Sequence, residues 1–169
     1  MSNTGKRGTR ELALCGMLAA MAMVFGYIES LLPIPYPFPG MRLGFANIAI
    51  IAALYLYGPR DAFIINIIRI VLSGLLFGNF NTFVLGFSGG MVSTAVMSLL
   101  KKTDKLNIIA VSAVGGVCHN ITQVAVAMLL LSTPTLIFMT PIFIVLGVIT
   151  GAVCGVVARL FVKHVNKTA

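Results

Sequence analysis

Long apolar segments follow one another along the whole chain, separated only by short polar breaks, and only 9% of the residues are charged. A water-soluble domain of this length carries about a quarter charged residues to cover its surface. With 59% hydrophobic residues, this chain cannot clothe a water-facing surface. A soluble globular enzyme is therefore excluded. Disorder is excluded as well, because disordered chains are poor in hydrophobic residues. What remains is an integral membrane protein solvated by lipid. A spanning helix takes roughly 20 apolar residues, so 169 residues leave room for one all-α membrane domain and no appended soluble one.

The breaks set the expected spans. The first runs over 12–32, and the basic residues before it give it a signal-peptide look. More apolar segments follow instead of a soluble mature chain, so the helix is expected to be retained. It ends at Pro33-Ile-Pro-Tyr-Pro-Phe-Pro-Gly40, where four prolines in seven residues forbid helix. Further spans are expected at 43–57, 60–77, 82–100, 107–131 and 136–162, the last interrupted early by Pro141. Together they make six transmembrane helices.

Positive charge sets the orientation. Lys6, Arg7, Arg10, Arg60, Lys101, Lys102, Lys105, Arg159, Lys163 and Lys167 fall on one side, against Arg42 alone on the other. Both termini are thus expected in the cytoplasm of a cell-membrane protein. The formal charge of +8 is a topology signal, and nucleic acid is not an expected partner. Cys15, Cys118 and Cys154 lie far apart in apolar segments without metal spacing, so they read as small hydrophobes.

A central Arg in a span costs roughly 2.5–3.5 kcal/mol on insertion scales, so such groups face the protein interior. Arg69 lies near the middle of the third span, with Asn66 and Ser73 on the same stripe. His119, Asn120, Thr122 and Gln123 reach the same depth from the fifth. Glu29 and Asn47 sit in the outer parts of the first and second spans, and Arg42 sits at the outer rim. These residues can line a polar cavity open to the outside. They can equally glue helices together, with Arg69 paired to Glu29 or to backbone carbonyls. Asn66, Ser73 and Thr122 read more readily as glue; the candidate ligand-binding set is Arg69, His119, Asn120 and Gln123, with Glu29, Arg42, Asn47 and Asn66 around them. Phe45, Phe83 and Phe87 can supply an apolar wall, or simply pack.

Gly147, Gly151 and Gly155 on the sixth span and Gly86 and Gly90 on the fourth recur every four residues. Such stripes permit close helix approach. The first span pairs Cys15 with Ala19, Gly16 with Ala20 and Ala22 with Gly26, and can offer a docking face to another membrane subunit. No phosphate loop and no HExxH occur, and Asp61 and Asp104 stand isolated, so no metal-dependent diphosphate chemistry and no cofactor are expected. The chain reads as a binding or conducting subunit rather than an enzyme.

The order of these features resembles the membrane-embedded substrate-binding (S) components of energy-coupling factor (ECF) transporters. They are a basic start, the small-residue helix 12–26, a proline-rich outer loop, and GFANIAIIAALYLYGPRDAFIINIIRIVLSGLLFG at Gly44–Gly78. More narrowly the chain resembles the family named heptaprenyl diphosphate synthase component I, or Gx transporter. The resemblance implies an S-component-like six-helix bundle holding a micronutrient under the loop between its first two helices. It also implies an AxxxA stripe that docks on a transmembrane coupling protein driven by two cytoplasmic ATPases. Gly16 and Ala20 match that stripe, with glycine in place of the first alanine. The family's inherited name implies an alternative partner, a soluble prenyl synthase.

Overall fold

The computed structural model describes residues 9–31, 42, 44–77 and 79–168. Lys6, Arg7 and the proline-rich stretch 33–40 lie outside the described residues. Among those described, the chain is all-helical: α1 (Thr9–Leu31), α2 (Asn47–Tyr57), α3 (Pro59–Phe77), α4 (Phe80–Lys102), α5 (Ile108–Leu130), a 3-10 turn (Pro134–Met139) and α6 (Thr140–Thr168).

Local chemistry sets the junctions. Gly58 alone separates α2 from α3. Its φ of 97° is open to glycine, and Pro59 then starts α3 where an N–H would have no intrahelical partner. Asn79 caps α4 by accepting from the Thr82 amide at 2.9 Å, and Asn107 caps α5 by accepting from the Ala110 amide at 2.8 Å. Pro141 does not interrupt α6. The 3-10 turn ends at Met139, so Pro141 falls in the first turn of the helix, where the missing N–H costs no hydrogen bond.

α2 is the hub of the bundle. Its residues from Asn47 to Leu54 are all buried, and it packs against each of the other five α-helices. A helix that is apolar all round can sit in such a place. Its 11 residues rise only about 16 Å, roughly half a hydrocarbon core. The segment expected to span at 43–57 is thus an enclosed half-length helix. At its far end the Lys101 ammonium donates to the Leu54 carbonyl at 2.6 Å and lies 5.1 Å from the centre of the Tyr55 ring. That places a cation at the negative end of the α2 dipole.

Burial is arranged inside out relative to a soluble protein. On α3, Ile64, Ile67, Ile68, Val71, Leu72 and Leu75 point outward, while Asn66, Arg69 and Ser73 are buried. Among the described residues, three stretches, Phe80–Lys102, Ile108–Leu130 and Pro134–Lys167, are long and apolar enough to cross a membrane. Apolar side chains outside, with the polar ones turned inward beside an apolar core, make the pattern lipid imposes, and the chain is a multi-pass membrane protein.

The glycine stripes divide in their use. On α6 they bring backbones together: a Cβ at Gly147 would lie 2.8 Å from the Val117 Cα, and one at Gly155 would lie 2.8 Å from the Ile109 Cα. On α4 they do not. Gly86 faces open space, and Gly90 makes room for the side chains of Asn66, Arg69 and Ile70. The α4 glycines therefore serve an interior of side chains, not a helix–helix seam.

Candidate ligand-binding site

Arg69 is buried to within 3% of full enclosure on α3. Its Nη2 donates to Asn66 Oδ1 at 3.1 Å. Asn66 Nδ2 donates to Thr94 Oγ1 at 3.0 Å, and Thr94 donates in turn to the Gly90 carbonyl at 2.8 Å. This relay fixes the guanidinium against α4. Arg69 Nε nevertheless has no hydrogen-bond partner, and neither has the buried hydroxyl of Ser73. The charges of Arg42 and Glu29 both act on Arg69.

Opposite stands α5. Gln123 Nε2 lies 3.0 Å from His119 Nε2, and Gln123 Oε1 accepts from the Arg42 amide at 3.2 Å. With that oxygen occupied, the amide nitrogen is the donor, so His119 carries its proton on Nδ1. Gly89 leaves the space for both: a Cβ there would sit 3.1 Å from atoms of His119 and of Gln123. Consecutive glycines on α4 thus seat the α3 cluster on one side and the α5 pair on the other.

The segment before α2 closes the site. The Gly44 amide donates to Glu29 Oε1 at 2.9 Å, joining it to α1. Gly44 has φ +90°, and a Cβ would also come 3.0 Å from Asn47 Nδ2. Gly44→Ala is therefore expected to cost about 1–2 kcal/mol, read as a lower thermal unfolding midpoint in detergent; an unchanged midpoint would show that this turn is not strained.

Arg42, Gly44, Arg69, Ile70, Ser73 and Thr82 line one cavity together with His119, Gln123, Gly74, Phe83 and Gly86. Of the expected ligand contacts, Arg42, Arg69, His119 and Gln123 come together there. Asn66 stands behind Arg69. Glu29 and Asn47 hold the Gly44 turn, Glu29 through its carboxylate and Asn47 through its backbone amide, which donates to the Gly44 carbonyl at 2.9 Å. Asn120 turns away, donating to the Phe143 carbonyl of α6 at 3.0 Å, and Thr122 bonds back to the Cys118 carbonyl of its own helix. Ser73, expected as glue, makes no hydrogen bond and lines the cavity. Thr94 and Gly89 were not singled out from the sequence. Thr94 continues the Gly86–Gly90 spacing by one more turn, which is the signal that points to it.

On α1, Gly16 and Ala20 are exposed, and a Cβ on Gly16 would meet nothing within 4 Å. Cys15 and Ala19 pack against the core instead. Ala22 is fully buried, and a Cβ on Gly26 would only touch Arg42 and Ser73 at ordinary contact distance.

The arrangement is a set of inward-facing donors around a cation, suited to a group that accepts hydrogen bonds or carries negative charge. No curated protein matches the chain in sequence. A solved structure described as the S component of a bacterial ECF transporter superposes with a TM-score of 0.61 at 21% identity, over 94% of this chain and 96% of that one. The two share a fold. The family model described as heptaprenyl diphosphate synthase component I matches residues 18–161, and the chain belongs to that family.

Proposed function

We propose that this protein is the substrate-binding subunit of an ECF-type importer, capturing a small molecule from the outer side of the cell membrane. The observation that carries the reading is Arg69, a buried cation with an unpartnered Nε on the wall of a polar cavity. The whole chain then forms one membrane domain of six spans, with the half-length α2 completed by the residues that flank it. The bias of Lys and Arg puts both termini in the cytoplasm. Arg69 is the main partner of an anionic or strongly accepting group, and Arg42, His119 and Gln123 orient it. Asn66, Glu29 and Asn47 act as positioning residues, and Asn120 secures α5 to α6. The protein is not itself an enzyme.

The exposed Gly16–Ala20 face of α1 is the docking surface for a transmembrane coupling protein, which two cytoplasmic ATPases drive. Bulk on an exposed helix face blocks close helix approach without disturbing the fold. Gly16→Leu and Ala20→Leu are therefore expected to lose the coupling protein in an affinity pull-down while keeping the wild-type unfolding midpoint. Both variants retaining the partner at the normal level would remove the docking assignment.

The family's name favours a second reading, a non-catalytic membrane partner of a soluble prenyl diphosphate synthase. Copurification separates the two. A coupling protein with ATPases supports the importer; a prenyl synthase in their place overturns it.

A further inference from the structure

The polar cavity encloses about 10 Å³, room for about one water-sized group. A whole small-molecule ligand takes a site of roughly 300–1,000 Å³. The remainder of any ligand anchored at Arg69 must extend into adjoining space.

Such a space lies directly behind one wall. Gly74 and Phe83 line the polar cavity and also a second one of about 370 Å³, whose other walls are Val71, Leu75, Asn79 and Phe80. This second cavity is a groove between the end of α3 and the start of α4. It opens to the apolar exterior, where Leu75 is 79% and Phe80 is 73% exposed. The partition is thin. Gly74 lacks the Cβ that would lie 2.7 Å from the Phe83 ring, so the ring itself fills the boundary. Phe87 stacks on Phe83 at 6.1 Å between ring centres and extends the apolar wall outward. Phe83 is thus the side chain that stands between a donor-lined pocket and an apolar groove.

Resting on the reading of Arg69 as an anion anchor, we propose that the ligand is a single-chain amphiphile. Its anionic head sits on Arg69, with Ser73 as a further donor, and its apolar chain passes Phe83 into the α3–α4 groove. One chain in a groove of about 370 Å³ is what distinguishes such a ligand from a two-chain bilayer lipid. The chain leaves the protein sideways, so the ligand stays partly in the membrane while it is bound.

The test uses the full-length protein in phosphatidylcholine nanodiscs, with empty nanodiscs as the background. Binding of butyl phosphate and octyl phosphate is measured by equilibrium dialysis and referred to the free aqueous concentration. Each methylene buried adds about fourfold in affinity, so the four extra methylenes of octyl phosphate can add up to about 250-fold over butyl phosphate, and a gain of at least about tenfold is expected. Leu75→Asn and Phe80→Asn change exposed groove positions beside Asn79, and unfolding midpoints in detergent equal to that of the wild type are required of both. Both are expected to erase the chain-length gain and to leave unchanged the binding of inorganic phosphate, which has no chain to place in the groove. Equal affinity for the two phosphates, or a chain-length gain that survives both variants, overturns the amphiphile assignment. Displacement of octyl phosphate by phosphatidylglycerol in the nanodisc also overturns it, in favour of a bilayer lipid. Butyl phosphate binding that survives Arg69→Gln would instead bring down the underlying reading of the pocket.

Discussion

Arg69→Gln is expected to weaken butyl phosphate binding by roughly 10- to 150-fold, the range for losing a hydrogen-bonded contact to a charged group. The fold should persist. Glutamine keeps a donor for Asn66 Oδ1, which now receives from Arg69 Nη2 at 3.1 Å, and it relieves the interior of a cation. Its unfolding midpoint in detergent should therefore equal or exceed that of the wild type. Glu29→Gln should retain much of the binding, since a glutamine oxygen can still accept from the Gly44 amide, as Glu29 Oε1 does. The two variants separate an anion anchor from a closed Glu29–Arg69 pair. Normal phosphate binding by Arg69→Gln, or equal losses of fold in both variants, would defeat the assignment.

Gly151→Leu is expected to give the largest loss of stability. A Cβ at Gly151 would lie 2.6 Å from the Ser112 carbonyl oxygen and 2.8 Å from the Ala113 Cα. Those are backbone atoms, which cannot rotate away as a side-chain tip can, so α5 and α6 would have to part. At Gly116 the added carbon would collide with the Gly147 carbonyl oxygen. Overpacking costs about 1–3 kcal/mol and sometimes more, and here the seam also carries the Asn120–Phe143 hydrogen bond. Gly86→Ala is the control: it points into open space, and its change should stay within about 0.5 kcal/mol. Unfolding midpoints in detergent decide the matter. A Gly151→Leu protein as stable as Gly86→Ala would show that the seam tolerates separation.

The all-helical membrane character follows from composition and periodicity alone. Lipid allows only internally bonded backbone, so a chain with apolar segments of this length has few other folds open to it. The helix breaks are local, and residues such as Asn79, Asn107, Gly58 and Pro59 mark them in the sequence because capping and φ preferences act over a few residues. The buried polar stripe of α3 is legible too: Asn66, Arg69 and Ser73 share one helix face, and lipid pushes that face inward.

Relations between helices were decided by the tertiary structure. A fourfold glycine spacing looks the same on α4 and α6, yet one serves side chains and the other serves backbone, because the partner facing each stripe differs. His119 and Asn120 are neighbours in sequence, but the 100° turn between them sends one to the pocket and the other to α6. α2 is short and enclosed because five helices surround it, which hydropathy along one segment cannot reveal. The same holds for Gly89, whose role depends on His119 and Gln123 arriving from thirty residues away. Hydrophobic patterning acts on each helix separately and specifies which face turns inward; only packing specifies what that face meets.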